Sequence, residues 1–214
     1  MTRRQTIDPQ NPDFELIQEV AVLIREGHVV VVPTDTAYGL TGDPADPQVV
    51  RRVLSIKERS EKLGMPLLAA STSQVQELTT LSALAEAFVA HFWPGAVTVI
   101  VPTSQGFPPG ISGPSGSLAI RVPDHPITLE VIQATGFPII GTSANKSNMP
   151  SPRSANMVVA QLGDQVDFIL DAGPTHHSAD STIVTFMTEP PSILREGAIP
   201  QSDVENWLNS VLTD

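Results

Sequence analysis

The 214-residue chain has no cysteine, which excludes disulfide bonds, thiolate metal sites and cysteine nucleophiles. It also lacks any apolar run near the roughly 18 residues that a membrane-spanning helix needs. Its N-terminal segment has no apolar core of the kind found in signal peptides. From these absences we expect a cytoplasmic protein without membrane association.

Basic residues are scarce, with 12 Lys and Arg against 23 Asp and Glu and a net charge of −11. Proteins that coat DNA or RNA gain most of their affinity from Lys and Arg side chains that neutralise phosphates. The composition therefore argues against a broad nucleic-acid-binding surface.

Hydrophobic residues make up 41% of the chain and charged residues 16%, a balance that supplies a sizeable core. The 20 prolines and 14 glycines are scattered along the sequence, so they indicate turns and rigid loops and not a linker. No shift in composition separates two parts of the chain. We predict an N-terminal tail over residues 1–10 and a single domain over residues 11–214.

Predicted helices and strands alternate along the chain. Asn11 with Pro12 predicts the start of a first helix. The β-branched run over residues 28–32 is apolar on both faces and predicts a central strand. Ser202 with Glu205 predicts a capping box at the start of a last helix. The apolar face of the first helix covers 14–24. The other predicted helices cover 47–56, one or two within 73–92, 127–135 and 155–162, and the other strands cover 66–70, 96–101, 118–122, 138–141, 168–170 and 182–186. This interleaving predicts an α/β fold on a mixed sheet with helices packed on it.

Polar groups follow the predicted central strand directly, in Pro33-Thr34-Asp35-Thr36-Ala37-Tyr38-Gly39-Leu40. Ligands of open α/β sheets gather at such strand ends. A tight turn whose Thr and Asp side chains bond their own backbone explains the pattern equally well.

Further on, Lys57-Glu58-Arg59 ends the second predicted helix. The two cations could turn towards one anion if the helix stops there, and a solvated helix end is the alternative.

Two later segments carry hydroxyl and amide groups at strand ends. In Gly141-Thr142-Ser143-Ala144-Asn145, Ser143 and Asn145 could donate to phosphate oxygens. The segment is not a nucleophile elbow, which needs Gly two places after the Ser, nor a Walker loop, which ends in Gly-Lys-Ser/Thr. The other segment is Ser181-Thr182, which is followed by Arg195 in Leu194-Arg195-Glu196-Gly197.

Most of the cations lie in or beside these segments or at strand ends. They are Lys57, Arg59, Lys62, Arg121, Lys146, Arg153 and Arg195. An acidic protein with its cations at polar loops is expected to have a focused anion pocket, for which nucleotide phosphates are the natural ligand. His176-His177 has no further ligand at a metal-binding spacing, so we predict a solvated loop there and no metal site held by the protein.

Taken together, these segments resemble the YrdC family, the threonylcarbamoyl-AMP synthases. The matching stretches occur in order along nearly the whole chain: the octet 33–40, Lys57-Glu58-Arg59, Phe92-Trp93-Pro94-Gly95-Ala96-Val97-Thr98, Ala119-Ile120-Arg121-Val122-Pro123, Ser143-Ala144-Asn145, Ser181-Thr182-Ile183-Val184 and Leu194-Arg195-Glu196-Gly197.

The resemblance implies a twisted mixed α/β sheet around a deep, positively charged cavity. It also implies a nucleotidyltransferase that forms threonylcarbamoyl-adenylate and pyrophosphate from L-threonine, bicarbonate or CO2, and ATP. Mg2+ is the implied cofactor, bound through the ATP phosphates. A partner transferase complex would then move the threonylcarbamoyl group to adenosine 37 of tRNA, so we expect little direct tRNA binding by this chain.

Residue roles also follow from the resemblance. Thr34, Arg121 and Ser181 would hold threonine, with Arg121 on its carboxylate. The implied ATP-binding residues are Lys57, Arg59, Ser117, Ser143, Asn145, Ser151 and Arg195, of which Lys57 and Arg59 are also the implied catalytic residues. Asp35 is a candidate general base, with a capped turn as the alternative.

The sequence departs from the family pattern in one loop. The family usually follows its Lys-x-Arg with a short link that ends in Lys-Pro-Leu. Here the link is longer, Met65 stands where the second Lys is common, and Lys62 is a candidate substitute for it. The chain also resembles the short members of the family, without their relatives' extra C-terminal domain.

Two other functions stay open from the sequence alone. The same fold could serve as a non-catalytic nucleotide- or RNA-binding accessory protein. It could also belong to a carbamoyl-transfer enzyme like the hydrogenase maturation proteins. Those proteins carry zinc fingers in a much longer chain, and the absence of cysteine argues against that interpretation.

Overall fold

The computed structural model describes residues 2–103 and 106–212, and within them the chain forms two β-sheets with helices packed on them. The strands are β1 (Arg3–Thr6), β2 (Val30–Val32), β3 (Gly39–Thr41), β4 (Leu67–Leu68), β5 (Val97–Pro102), β6 (Ser117–Arg121), β7 (Ile139–Ile140), β8 (Thr142–Ser143), β9 (Phe168–Asp171), β10 (Thr182–Thr185) and β11 (Ser192–Arg195). The helices are α1 (Phe14–Arg25), α2 (Pro47–Lys57), α3 (Thr72–Gln76), α4 (Ala83–Phe92), α5 (Pro126–Thr135), α6 (Ala155–Leu162) and α7 (Gln201–Leu212).

Both sheets contain parallel and antiparallel pairs. The five-stranded sheet has the order β1-β9-β2-β3-β8, and the six-stranded sheet has the order β11-β10-β5-β6-β4-β7. The predicted mixed α/β fold is therefore confirmed, but the expectation of a single sheet is wrong. The chain changes sheets between β7 and β8, which are separated only by Gly141. A Cβ atom at Gly141 would lie 2.3 Å from Leu68 Cγ, so the crossing needs glycine.

Strand β2 is buried on both faces, as the β-branched run predicts. Successive side chains of a strand point to opposite faces of the sheet. Val30 and Val32 accordingly pack in a cluster with apolar residues of α1 and α5, whereas Val29 and Val31 pack in a second cluster with residues of α2. The strand therefore holds helices on both sides and leads directly into the polar segment that begins at Pro33.

The N-terminal segment corrects two predictions. Residues Arg3–Thr6 form β1, which pairs in parallel with β9, so they are part of the five-stranded sheet and not a tail. Helix α1 does not begin at the predicted cap, Asn11, because Asp13 takes that place. The Asp13 side chain accepts hydrogen bonds from the backbone N–H groups of Glu15 and Leu16.

The predicted capping box at Ser202 is also wrong. Helix α7 begins one residue earlier, at Gln201, whose backbone N–H donates to the side chain of Glu196. The Gln201 side chain in turn donates to Glu205 one helical turn further on. The remaining predicted elements are observed with their ends shifted by at most two residues, while β3, β8 and β11 were not predicted.

The cap of α1 gives a direct test of the fold. We expect Asp13→Ala to lower the free energy of unfolding by about 1 kcal/mol, because two N–H groups of the first turn lose their acceptor. Asn11→Ala should change it by less than about 0.5 kcal/mol. Urea unfolding followed by circular dichroism measures both, and equal losses for the two variants would contradict the observed cap.

Candidate functional site

A cavity of about 310 Å3 lies where the two sheets meet. Gly39, Thr142 and Ser143 reach it from the five-stranded sheet. The six-stranded sheet contributes residues of β4, β5, β6, β10 and β11. The charged residues among its lining are Arg59, Arg121, Asp180 and Arg195.

Seven of the ten predicted site residues line this cavity, although they come from distant parts of the chain. They are Thr34, Arg59, Ser117, Arg121, Ser143, Ser181 and Arg195. The other three, Lys57, Asn145 and Ser151, do not line it but contact residues that do. The net charge of the cavity stays a prediction.

The segment after β2 forms the tight turn that the sequence left as an alternative, and the turn also lines the cavity. Thr34 Oγ1 accepts hydrogen bonds from the backbone N–H groups of Thr36 and Ala37 and donates to Ala37 O at 2.6 Å. Thr34 is buried as a result. The two interpretations are thus compatible, because the turn holds one wall of the cavity in place.

Arg121, at the end of β6, forms a buried ion pair with Asp35, in the turn after β2. The guanidinium donates from Nη2 to both carboxylate oxygens of Asp35, from Nη1 to Thr36 Oγ1 at 2.7 Å and from Nε to Gly95 O at 2.7 Å. Burial lowers the pKa of Arg121, while Asp35 opposes that shift. Asp35 does not line the cavity, so it serves as the counter-ion of Arg121 and is poorly placed as a general base.

Helix α2 ends at Lys57, as the sequence prediction required, but the Lys57 side chain turns inward. Its ammonium donates to Ser143 O, to Asn145 O at 3.0 Å and to Asn145 Oδ1 at 2.9 Å. An ammonium has three N–H donors, so these acceptors use all of them. Burial, followed by the nearby Arg59, lowers the pKa of Lys57 to about 8. Lys57 therefore supports the loop that carries Ser143 and Asn145 from behind.

Of the two cations Lys57 and Arg59, Arg59 is the one that lines the cavity. Its Nη2 donates to Gly64 O at 2.7 Å, whereas its Nε is buried and has no hydrogen-bond partner within residues 2–103 and 106–212. Burial lowers the pKa of Arg59. A buried donor without a partner is costly, and an anion in the cavity could supply the acceptor.

The altered loop after Arg59 does not bring a second lysine to the cavity. Met65 is fully buried in the apolar core, and its backbone N–H donates to Ile111 O. Lys62 lies in an exposed turn of 3-10 helix, Glu61–Leu63, and is not among the residues that line the cavity. The geometry gives no support to Lys62 as a substitute for the missing cation.

Sequence reasoning missed an ionic cluster around Asp180. Ser151 Oγ donates to Asp180 Oδ2 and Arg153 Nη2 donates to Asp180 Oδ1, both at 2.9 Å. Arg195 lies 4.0 Å from the same carboxylate and donates to Ser181 O at 2.7 Å. Asp180 immediately precedes Ser181, and this position beside a predicted site residue was the signal that could have found it.

A fold of two mixed sheets with polar strand ends around one cavity is the fold of a known family. Residues 22–197 match the family described as "Telomere recombination", Sua5/YciO/YrdC, and the chain belongs to that family.

Curated and solved relatives make the likeness more specific. The chain is 34% identical over 211 residues to the threonylcarbamoyl-AMP synthase of Bacillus subtilis, a match that covers 98% of this chain and 59% of the relative. A crystal structure of P. abyssi Sua5 complexed with L-threonine superposes with a TM-score of 0.91 at 32% identity, over 96% of this chain and 60% of that one. E. coli YciO has a TM-score of 0.85 at 25% identity and matches 92% of this chain and 96% of its own. The chain thus spans about three fifths of the first two relatives.

The buried ammonium of Lys57 predicts a pH-dependent stability. Its pKa is about 8 in the folded protein against 10.5 in a free side chain, so the unfolded chain binds more protons between these values. This group therefore makes folding more favourable as the pH rises through 8. We subtract the free energy of unfolding of Lys57→Met from that of the wild type. We expect this difference to become more positive from about pH 7 to about pH 9 in urea unfolding. The exposed Lys62→Met is the control, and a difference that falls with pH would contradict the prediction.

Proposed function

We propose that the chain is a threonylcarbamoyl-AMP synthase, which forms threonylcarbamoyl-AMP and pyrophosphate from L-threonine, bicarbonate or CO2, and ATP. The observation that carries this proposal is the convergence of seven predicted substrate-binding residues on one cavity. The names of the relatives and the threonine complex of P. abyssi Sua5 support it further.

Threonine would bind at the wall made by Thr34, Arg121 and Ser181. Arg121 is already balanced by Asp35, so it would act on a carboxylate through directed hydrogen bonds more than through net charge. One Nη1 N–H of Arg121 donates to Thr36, which leaves the second for a ligand. Ser181 Oγ lies 2.8 Å from Thr98 Oγ1, so this wall also offers two adjacent hydroxyl groups to the ligand.

ATP would bind at Arg59 and Arg195, together with the hydroxyls of Ser117 and Ser143. Lys57 and Asn145 would act on this site by holding the loop that carries Ser143 in place. Ser151 would act on it indirectly, through its hydrogen bond to Asp180. Within the part of the chain that the structure describes, no three His, Cys, Asp or Glu side chains group to hold a metal. Mg2+ would enter with ATP and neutralise charge on its phosphates.

The proposed reaction depends mostly on how the protein positions threonine, CO2 and ATP relative to one another. The neutral amine of threonine attacks the carbon of CO2, loses a proton to solvent and forms a carbamate. A carbamate oxygen then attacks the α-phosphorus of ATP in line and displaces pyrophosphate. Charge on the phosphates grows towards the leaving group, and fixed arginines such as Arg59 and Arg195 stabilise it without rearrangement. A separate transferase complex would use the product to modify tRNA, for which the acidic composition of this chain is no obstacle.

Pyrophosphate release tests the function directly. We expect purified protein with MgATP to release pyrophosphate only when L-threonine and bicarbonate are both present, and not with L-serine at the same concentration. The adenylate itself should appear by mass spectrometry. ATP binding without release would favour the accessory-protein alternative.

Arg59 gives the sharpest test of the ATP site. We expect Arg59→Ala to lower the rate of adenylate formation by roughly tenfold or more, since a charge-assisted hydrogen bond to phosphate is lost. Arg52→Ala is the matched control, because Arg52 is similarly half-buried but pairs with Asp167 away from the cavity. Steady-state kinetics at saturating threonine compares them, and similar rates for both variants would refute the role of Arg59.

A further inference from the structure

Asp180 supplies the carboxylate of an otherwise basic cavity. Among the residues that line the cavity, the charged groups other than Asp180 are three arginines, one of which is neutralised by Asp35. We propose that Asp180 binds the ammonium group of the amino-acid substrate. This inference rests on the proposed function and names the group that would recognise one end of threonine.

The Asp180 carboxylate has room for another donor. Each of its oxygens accepts one short hydrogen bond, from Ser151 and from Arg153, and its side chain keeps 35% of its surface exposed. A carboxylate offers about four acceptor positions in total. Arg195 at 4.0 Å lies beyond hydrogen-bonding distance, so acceptor capacity remains on the cavity side.

The backbone of Asp180 is fixed, so the carboxylate is held ready. Ala198 N donates to Asp180 O at 2.7 Å. A Cβ atom at Gly197 would lie only 2.2 Å from the same oxygen, so the chain approaches as closely as glycine permits. Asp180 also precedes Ser181, a residue of the threonine wall. Both residues line the cavity, and the Arg195 guanidinium lies within 4.0 Å of both side chains, so a threonine bound at that wall would lie near the Asp180 carboxylate.

The charges of the cavity require such a group. A free amino acid carries an ammonium as well as a carboxylate, and an ammonium among Arg59, Arg195 and Arg121 would be repelled. The Asp180 carboxylate acts electrostatically on Lys57 and Arg121, and it partly offsets the lowering of their pKa values by burial. Its field thus reaches both the threonine wall and the loop behind the ATP site. A purely structural role, as the anchor of Arg153, is the competing explanation.

Binding measurements with two ligands separate these explanations. L-Threonine is compared with its 2-hydroxy analogue, in which a hydroxyl replaces the ammonium, by isothermal titration calorimetry without ATP. We expect Asp180→Asn to weaken threonine binding by about tenfold or more and binding of the analogue by no more than about twofold. Equal losses for both ligands, or unchanged threonine binding, would overturn the proposal.

Asp167→Asn is the matched control, because Asp167 forms a comparable ion pair with Arg52 away from the cavity. It should leave both ligand affinities unchanged. The unmodified protein provides a test that does not depend on the variant folding: in a crystal structure with L-threonine, the amine nitrogen should lie about 3 Å from an Asp180 carboxylate oxygen. An amine that faces another wall would overturn the inference.

The same experiments distinguish the inference from the proposed function. Threonine that binds the wild type and depends on Asp180, without pyrophosphate release, would refute the synthase and support the amine site. Pyrophosphate release with threonine binding unaffected by Asp180→Asn would support the synthase and refute the amine site. Absence of threonine binding to the wild type would overturn both.

Discussion

The buried ion pair between Arg121 and Asp35 is the interaction on which the site depends. Arg121 belongs to the six-stranded sheet and Asp35 to the turn that leaves the five-stranded one, so the pair joins the two walls of the cavity. Because a buried charge that loses its partner is strongly destabilising, neither residue can change alone without cost. Thr36 and Gly95 complete the hydrogen bonds of the guanidinium, which keeps its position fixed.

A second buried cation organises the other side of the cavity. Lys57 lies at the end of α2 and gives its three N–H donors to the loop that follows β8. Arg59, two residues later, faces the cavity and has a buried Nε without a partner in the described residues. The two cations of the Lys-x-Arg pattern thus have different places: Lys57 supports the wall from behind, and Arg59 lines the cavity.

The sequence predicted the elements well because their signals are local. The valines of β2 and the residues of the helix predicted over 47–56 act through neighbours in the chain, and both elements are observed. The edge strand β1 was missed because it is polar and exposed and depends on pairing with β9, 165 residues further along. The division into two sheets was missed for the same reason, since it depends on which distant strands pair.

The site was predicted mainly through resemblance, and its roles could not be read from residue types. Two cations two residues apart do not show which one is buried. For Asp180, the sequence offers no signal beyond its position next to Ser181. Its surroundings become visible only in the fold, where the segment 151–153 and the end of β11 bring Arg153 and Arg195 close to its carboxylate.

The crossing at Gly141 has a mechanical consequence. Ile140, in the six-stranded sheet, donates to Gly42 O at the end of β3, and Gly141 donates to Pro66 O. At this point a single residue joins the two sheets, and consecutive Cα atoms lie about 3.8 Å apart. The walls of the cavity therefore cannot part here, and any widening must be a rotation about this pivot. The edge of the six-stranded sheet opposite β7 is β11, which carries Arg195, and it would move furthest in such a rotation.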